Sequence, residues 1–510
     1  MAEEAAGLDA QGPPGGVYDL LVIGGGINGA GIARDAAGRG LSVLLAERDD
    51  LASHTSSAST KLVHGGLRYL EYYELRLVRE SLIERERLLS VAPHIVWPLQ
   101  FVLPQPLDGR PRWLIRLGLL LYDNLGGRKR LPRSFGVRFP GSPFGRGLKP
   151  EVENGFVYSD CWIDDARMVS LNCMDAAARG ATIRTRTRVE QVRATDGRWR
   201  ARLVDTESGV DDDIFAHVVV NATGAQVGEV LGRAMDVPDT PQPRLVKGSH
   251  IVVPRLFDGP HAFILQNPDK RIVFAIPYEE DFTLIGTTDV PWSRKQGPAR
   301  IDTAETSYLC ESVNRYLARQ IGPVDVVHSY SGVRPLFDDG REDASSVTRD
   351  YVLQVNQQGG APILSVFGGK ITTYRRLAEH ALEKLEPWLR TGREAWTGTA
   401  SLPGGDLPDG SLADYADAVR RRWPFLDDAL GGRLARSYGT RTETVVGDAA
   451  SLADLGEHFG GGLYAREVDY LVGHEWARTS EDILWRRSKL GLHLEPGSAA
   501  AIDDYLERRA

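Results

Sequence analysis

Three glycines and one glutamate near the start of the chain have the types and the spacing that bind a dinucleotide. Gly24, Gly26 and Gly29 form a G-x-G-x-x-G sequence, and Glu47 follows 18 residues after the last of them. Glycines at these positions allow a tight turn and let backbone N–H groups approach a pyrophosphate, while the carboxylate can accept both hydroxyls of a ribose. The chemistry that this set supports is the binding of an adenine dinucleotide.

These four residues need a βαβ unit to bring them together. Residues 18–23 are an apolar run that predicts a buried strand, residues 29–39 are rich in alanine and predict a helix, and residues 41–46 predict a second strand. The glycines then open the helix, whose N-terminus carries partial positive charge suited to a phosphate. The sequence therefore predicts a doubly wound α/β sheet that binds the dinucleotide at the ends of its strands.

Two later predicted strands, residues 214–220 and 363–367, end in glycine turns that favour FAD over NAD. The turn residues are Ala222, Gly224, Gly368, Gly369 and Lys370. An NAD site requires no further contacts of this kind, whereas an FAD site predicts turns that return to the same cofactor. The second turn opens a helix whose N-terminus can stabilise negative charge at the N1–C2=O edge of a flavin. An ordinary loop between a strand and a helix would have the same sequence pattern.

A polar run directly after the second strand offers further contacts to a cofactor. Its hydroxyl residues include Thr55, Ser56, Ser57 and Ser59. Hydroxyls and exposed N–H groups suit a phosphate or a flavin, and a solvated loop would have a similar composition. We predict that these residues belong to the cofactor site.

Composition and charge exclude some classes of protein. The chain has 510 residues, which predicts two or three domains, and a net charge of −8, which argues against a general nucleic-acid binder. An anionic substrate would therefore need a local cluster of positive charge. Cys161, Cys173 and Cys310 show no C-x-x-C pairing, so we expect buried thiols in a reducing compartment and neither a metal nor an iron–sulfur cluster held by cysteine.

The strands of the dinucleotide domain are separated along the chain by inserted material. Residues 242–290 alternate apolar and polar side chains, which predicts an antiparallel sheet, and a linker-like segment at 402–405 precedes a charged, helix-patterned C-terminal region. We expect a disordered extension without signal-peptide features at 1–16 and a helical domain at 401–510. Within 17–400 the expected segments are 17–80, 150–240 and 330–390 for the dinucleotide domain, and 81–149 and 241–329 for a substrate or cap domain.

An apolar segment at residues 113–122 is flanked by Arg112, Arg128, Lys129 and Arg130. It is shorter than the roughly 18 apolar residues that a membrane-spanning helix requires. Its basic flanks and aromatic ends suit a helix that lies in an anionic membrane interface. A buried core helix with snorkelling arginines explains the same pattern equally well, so the sequence leaves both interpretations open.

A series of short motifs runs along the whole chain. They are residues 24–31 (GGGINGAG), 55–59 (TSSAS), 64–70 (HGGLRYL), 158–162 (YSDCW), 247–250 (KGSH), 286–289 (GTTD), 330–335 (YSGVRP) and 367–374 (FGGKITTY). Together they resemble the bacterial aerobic glycerol-3-phosphate dehydrogenases, from about residue 18 to the last helices. The resemblance implies an α/β protein with a Rossmann-like FAD-binding domain of the glutathione-reductase/D-amino-acid-oxidase type, an antiparallel β substrate domain and a helical C-terminal domain.

The resemblance also implies an activity. Members oxidise sn-glycerol 3-phosphate to dihydroxyacetone phosphate, pass a hydride from C2 to N5 of FAD and reduce a membrane quinone as peripheral enzymes on the cytoplasmic face of the membrane. It adds Asn28 and Thr372 to the cofactor set, and we expect a homodimer. Two alternatives are a soluble glycerol-3-phosphate oxidase that uses oxygen, and a flavoprotein whose FAD is structural or which serves tRNA modification or partner binding.

Such a reaction requires a phosphate clamp, a group that stabilises a developing alkoxide and a proton acceptor. Arg68 and Arg334 lie beside glycine or proline, and the resemblance implies that both contact the substrate together with the hydroxyl of Tyr69. His250 has a side chain suited to a general base, although a lone histidine is more often structural. We predict His250 as the base, assisted by Arg334 and Lys370, while the sequence leaves the identity of the proton acceptor open.

Overall fold

The computed structural model describes residues 13, 16–105, 111–127, 130–235, 242–337 and 350–509. The predicted extension at residues 1–16 lies outside the described residues apart from Pro13 and Gly16, as do Arg128 and Lys129 of the basic flank. The described part of the chain consists of two large sheets with their helices and a separate C-terminal group of helices. The three-part α/β architecture predicted from the sequence is confirmed.

Strands and helices follow one another along the described chain. The strands are β1 (Val17–Ile23), β2 (Val43–Ala46), β3 (Leu62–Val63), β4 (Val96–Pro104), β5 (Phe135–Arg138), β6 (Asn154–Ile163), β7 (Thr182–Arg184), β8 (Thr187–Thr195), β9 (Arg198–Asp205), β10 (Asp211–Asn221), β11 (Arg244–Pro254), β12 (Ala262–Gln266), β13 (Ile272–Tyr278), β14 (Phe282–Gly286), β15 (Val290–Pro291), β16 (His328–Leu336), β17 (Val352–Gln358), β18 (Ala361–Phe367), β19 (His458–Gly460) and β20 (Leu463–Tyr464). The helices are α1 (Ile27–Gly38), α2 (Leu75–Val91), α3 (Arg112–Leu125), α4 (Asp165–Ala178), α5 (Val227–Met235), α6 (Thr303–Asn314), α7 (Tyr374–Leu389), α8 (Leu412–Arg422), α9 (Asp428–Tyr438), α10 (Thr442–Val446), α11 (Ala465–Glu475) and α12 (Ser498–Glu507).

The first sheet has the strand order β17-β18-β10-β1-β2-β7, in which β18, β10, β1, β2 and β7 are parallel. Its strands are apolar on both faces because helices α1, α4 and α7 cover one face and the β8–β9 hairpin and α5 cover the other. In β1, Leu20 and Val22 point to the helices while Leu21 and Ile23 point to the hairpin side. The predicted βαβ unit and the two later strands are therefore confirmed.

The second sheet is mostly antiparallel, with the order β15-β11-β14-β13-β12-β4-β6-β3, and β16 pairs with β11. This arrangement confirms the antiparallel sheet predicted at 242–290. Three strands of the second sheet lie wholly or partly in segments that the sequence assigned to the dinucleotide domain: β3 and β6 wholly, and β16 from residue 330 onward. β3 pairs with β6, β6 with β4 and β16 with β11, and local periodicity does not reveal such pairings.

Helix α3 contains the apolar segment that the sequence left ambiguous. Its buried residues are Leu119 and Tyr122. Trp113 is 68% exposed, and four leucines on the same helix are also exposed: Leu114, Leu117, Leu120 and Leu121. The buried-core interpretation is therefore wrong, since most of the apolar side chains of this helix face outward. No helix in the described ranges combines the length and the hydropathy needed to cross a membrane.

The C-terminal domain has its own apolar core, built from α8 to α12 and the short β19–β20 hairpin. It packs against the dinucleotide domain through α11 and a π-helical turn at Asp482–Arg487, both of which lie against α4. Cys161, Cys173 and Cys310 are all buried in apolar surroundings, as predicted. Burial raises the pKa of each of these thiols.

Candidate active site

The first glycine turn joins β1 to α1 and permits a very close backbone approach. Gly24 has a φ of +111°, and a Cβ at this position would lie 2.7 Å from the carbonyl oxygen of Ala222. A Cβ on Gly29 would clash with the carbonyl oxygen of Gly24, and Gly26 is the N-cap of α1. The turn thus presents the N-terminus of α1 to the end of the sheet, where an anionic group is stabilised by the free N–H groups.

Glu47 lies directly beside this turn at the end of β2. Its carboxylate accepts hydrogen bonds from the N–H of Gly25 at 2.6 Å and from the N–H of Asp49 at 2.9 Å. Burial raises the pKa of Glu47, and these two donors oppose the increase. The carboxylate is therefore fixed in position next to the glycine turn, as an acceptor for ribose hydroxyls requires.

The polar run after β2 closes over the same turn. The hydroxyl of Ser56 accepts a hydrogen bond from the N–H of Ile27 at 3.0 Å, and the hydroxyl of Thr55 donates to the carbonyl of Val333 at 2.7 Å. Ser57 is partly exposed beside them. The hydroxyl of Ser59 donates to buried Asp165 at 2.7 Å, and Ser59 also lines the cavity between the second glycine turn and the cap. The run joins the dinucleotide domain to β16 of the cap.

The second glycine turn, at Gly368 and Gly369, lies next to the first. Asn28 of α1 donates a hydrogen bond from Nδ2 to the carbonyl of Gly368 at 3.1 Å. Two polar atoms, Asn28 Oδ1 and Lys370 Nζ, are buried without a hydrogen-bond partner among the described residues. Buried polar groups are normally satisfied, so an oxygen acceptor and an ammonium donor at one turn fit a polar ligand such as the flavin ring of FAD.

Two adjoining cavities contain the predicted site residues. The first, about 1000 Å³, is lined by Gly24, Glu47 and the start of β8, and the second, about 570 Å³, is lined by the second glycine turn and the cap. Thr55, Ala58 and Gly332 line both cavities. A long ligand can therefore run from Glu47 past the glycine turns into the second cavity. Thr372 lines the second cavity too, while Ala222 and Gly224 flank the first at the end of β10.

Strand pairing in the cap brings His250 and Arg334 together on one face of the sheet. His250 of β11 lies opposite Tyr330 of β16, and Arg334 lies further along β16 on the same face, at an alternate position of the strand. Side chains on both strands need room there, and glycines provide it. A Cβ on Gly286 would clash with the ring of His250, and a Cβ on Gly248 would clash with the guanidinium of Arg334.

His250 is enclosed by polar and aromatic neighbours. Its Nε2 lies 2.9 Å from the hydroxyl of Thr60, and its ring stacks on Tyr330 with a centroid separation of 4.8 Å. Burial, together with the positive charges of Arg334 and Lys61, lowers the pKa of His250 to about 3. The imidazole is therefore neutral near pH 7, which is the form that can accept a proton.

Arg334 is held at the cavity wall by partners that the sequence alone did not identify. Its guanidinium donates to Asp289, to the hydroxyl of Thr287 at 3.1 Å and to the carbonyl of Thr288 at 3.0 Å. Behind them, buried Glu305 accepts a hydrogen bond from the hydroxyl of Thr288. The charge of the arginine is thus fixed at one place, which is the positive locus that an anionic substrate requires in an acidic protein.

Arg68 and Tyr69 belong to a 3₁₀ turn at Leu67–Tyr72 and line the second cavity with His250, Arg334 and Lys370. Lys370 Nζ lies 3.9 Å from the centre of the Tyr69 ring, which stabilises the cation and joins this turn to the second glycine turn. All five substrate residues predicted from the sequence therefore line one cavity. Their individual roles stay predictions.

Sequence reasoning missed several residues at this site. Thr60 and Asp289 line the second cavity and contact predicted residues directly, and Ile264, Ile272 and Phe274 form an apolar wall of it. Tyr330 stacks on His250 and lines the first cavity. The register of β11 with β16 would have identified Tyr330, but periodicity within one strand does not reveal it. These features define a dinucleotide-binding protein of the oxidoreductase class, with a cavity lined by Arg68, Arg334 and Lys370 beside its second glycine turn.

Comparisons with known proteins agree with this class. A family model described as FAD dependent oxidoreductase matches residues 19–375, and one described as C-terminal domain of alpha-glycerophosphate oxidase matches residues 395–507. The chain is 52% identical to a glycerol-3-phosphate dehydrogenase of Pseudomonas aeruginosa, over 96% of this chain and 95% of that protein. It is 50% identical to a D-erythritol 1-phosphate dehydrogenase of Brucella abortus, over 96% and 97% respectively.

A solved structure supports the same conclusion. The glycerol-3-phosphate dehydrogenase of Bacillus halodurans complexed with FAD superposes with a TM-score of 0.75 at 26% identity, covering 99% of this chain and 96% of that one. The chain therefore belongs to the FAD-dependent oxidoreductase family. It is an enzyme with FAD as its cofactor, and the two cavities with their glycine turns are where the residues fit that group.

Proposed function

We propose that this enzyme oxidises sn-glycerol 3-phosphate to dihydroxyacetone phosphate. The observation that carries the proposal is the second cavity, where Arg68, Arg334 and neutral His250 surround one space beside the second glycine turn. Cations suited to a phosphate thus meet a group able to take a proton from a neighbouring hydroxyl. The names of the similar dehydrogenases agree with this substrate.

In this proposal each side chain has a role that follows from its chemistry. Arg68 and Arg334 bind the phosphate through parallel N–H donors, and Tyr69 adds a hydroxyl. Lys370 stabilises the oxygen of C2 as negative charge develops on it. Glu47 and the two glycine turns would hold FAD, which would supply the acceptor for the hydride of C2 and a route for the electron pair to a quinone.

His250 takes the proton of the C2 hydroxyl at Nε2, whose partner Thr60 also lines the cavity. Its pKa in the ligand-free enzyme is low, partly because Arg334 is positively charged. A bound phosphate dianion neutralises that charge and raises the pKa of His250, so the imidazole becomes a stronger base once the substrate is in place.

Helix α3 supports attachment to the cytoplasmic face of an anionic membrane. Trp113 and the exposed leucines form an apolar surface, and Arg112 and Arg116 lie on the same helix. An amphipathic helix of this kind binds in the interfacial plane, which would give the enzyme access to a lipid-soluble quinone. A homodimer remains our expectation for the assembly. The oxygen-using oxidase remains the alternative for the acceptor.

D-Erythritol 1-phosphate is a second candidate substrate. The observation that favours it is the 50% identity to a relative of that name, which nearly equals the 52% identity to a glycerol-3-phosphate dehydrogenase. Both names contain a polyol monophosphate, so the same arginines would bind either one.

Anaerobic mixing tests the proposal. The purified yellow protein is mixed with sn-glycerol 3-phosphate, D-erythritol 1-phosphate or glycerol while the visible flavin absorbance is followed. We expect bleaching by the first at low concentration, weaker bleaching by the second and none by glycerol. Recovery should then be much faster with a quinone analogue than with oxygen. An absorbance that does not change with glycerol 3-phosphate contradicts the proposal, and faster recovery with oxygen identifies an oxidase.

A further inference from the structure

We propose that the C-terminal domain is part of the FAD site and holds the cofactor through Arg486 and Arg487. These arginines end the π-helical turn Asp482–Arg487, and both bind Asp50 in the loop that follows Glu47. The C-terminal domain would thus act as a clamp on the loop that carries the ribose acceptor.

The contact to Asp50 is dense and buried. Arg486 Nε donates to the carboxylate at 2.6 Å, and Arg487 donates through both terminal nitrogens at 2.7 and 2.8 Å. Asp50 and Arg487 are almost completely buried. Burial alone would lower the pKa of each arginine, but the charge of Asp50, its hydrogen bonds and the charge of Asp482 together outweigh burial, and the pKa of each is raised. Both arginines therefore stay charged, and the carboxylate depends on them for compensation.

The same π-helical turn also binds the loop between β7 and β8, which is the second loop beside the adenosine end of the site. Arg186, between β7 and β8, donates to the carboxylate of Asp482 at 2.8 and 3.0 Å. The next three residues, Thr187, Arg188 and Val189, line the first cavity, and the N–H of Thr187 donates to the carbonyl of Glu47 at 2.7 Å. Donors from Arg186 and from backbone N–H groups overcome the effect of burial and lower the pKa of Asp482 to about 2.

These contacts reach the cofactor site directly. Arg486 itself lines the first cavity with Glu47, as do Leu484 and Trp485 of the same turn. The Asp50 loop also contacts the first glycine turn, because the N–H of Ala52 donates to the carbonyl of Gly25 at 3.1 Å. Movement of the π-helical turn would therefore displace two loops that border the adenosine end of the cofactor.

The test measures FAD retention rather than turnover. Arg487→Met should increase the rate of FAD release on dilution about tenfold or more, followed by the rise in free flavin fluorescence. Arg433→Met is the matched control, because Arg433 forms a two-pronged buried pair with Glu467 inside the C-terminal domain, at 2.7 Å for each bond.

Unchanged FAD release in Arg487→Met would overturn the proposal, and so would an equal loss of FAD in Arg433→Met, which would show a general effect of instability. Arg487→Lys, which keeps the charge and loses the fork, is the second variant if the methionine protein does not fold. Amide exchange provides an independent measurement. Adding FAD to the apoprotein should slow exchange at residues 482–487, and Asp50→Asn should abolish that protection while the protein remains folded.

Discussion

The N–H of Gly65 donates a hydrogen bond to the phenol oxygen of Tyr122 at 2.8 Å. This bond joins the loop that precedes Arg68 and Tyr69 to helix α3, whose apolar side chains are exposed. Tyr122 lies on α3, and its hydroxyl donates in turn to Asp160, which also binds Arg85 of α2. Gly65 closely precedes the turn that carries Arg68 and Tyr69. The helix that we propose to lie on the membrane is therefore anchored to the loop that we propose to bind the substrate.

Tyr122→Phe removes this anchor without enlarging the core. The amide of Gly65 loses its nearer acceptor, so we expect a less well ordered loop and a KM for glycerol 3-phosphate that rises about three- to tenfold, equivalent to roughly 1 kcal/mol. Steady-state kinetics with saturating FAD measure this change in KM. Tyr316→Phe is the control, because that buried phenol donates to the carbonyl of Gln266 elsewhere in the cap. A similar KM change in both variants would contradict a specific link.

Arg334→Lys tests the phosphate clamp. Lysine keeps the positive charge but cannot donate two parallel hydrogen bonds, so kcat/KM should fall about 100-fold while the FAD content is unchanged. The control is Arg271→Lys on the outer side of the cap, where the arginine stacks on Tyr308. We expect normal kinetics for it. A variant Arg334→Lys with normal kcat/KM would remove this arginine from the proposed site.

His250→Asn tests the proton acceptor and should lower kcat by about 10² to 10⁴. Because the substrate phosphate also titrates near neutral pH, the informative quantity is the ratio of kcat/KM between the unchanged enzyme and the variant at each pH. A free-enzyme pKa of about 3 predicts a flat ratio at every pH well above that value. If the ratio instead falls tenfold for each pH unit below about 6.5, His250 titrates like an ordinary solvent-exposed histidine.

Trp113→Glu with Leu117→Glu tests the membrane surface. Two carboxylates on the exposed face of α3 should reduce binding to phosphatidylglycerol vesicles at least about tenfold, measured by co-sedimentation, because they remove apolar area and repel anionic lipid. Val324→Glu changes an even more exposed apolar residue away from this helix, and the variant should bind normally. Vesicle binding that survives the double substitution would exclude α3 as the contact.

Buried His94 should make the protein less stable in acid. Burial and the positive charge of Arg167 lower its pKa to about 3, below the unfolded value of 6.5. The unfolded chain therefore binds the extra proton first, and stability falls as the pH decreases from about 6.5 towards 3, by roughly 1.4 kcal/mol per pH unit for this one group.

Replacing His94 with methionine should make the pH dependence of unfolding shallower by about that amount, measured by urea denaturation at several pH values. His217→Met is the control, since His217 is exposed in the folded protein. Equal slopes in the His94 variant and the unchanged protein would show that other groups cause the acid sensitivity.

Those parts of the protein that depend on local spacing could be predicted without the structure. The βαβ unit, its three glycines and Glu47 lie within one short stretch of chain, so periodicity and turn chemistry are enough to predict them. The antiparallel cap sheet was predictable for the same reason. The five substrate residues could be predicted only from the resemblance of whole motifs. Their positions along the chain do not show how close their side chains lie in the folded protein.

Contacts between residues that are distant in sequence could be identified only in the folded protein. His250 faces Tyr330, and Gly248 leaves room for Arg334, because of the register between β11 and β16, which neither strand encodes alone. The outward face of α3 also became visible only when its neighbours were in place. Asp50 and Arg487 are 437 residues apart in the chain. The packing of the C-terminal domain on the dinucleotide domain brings them together, and each compensates the buried charge of the other.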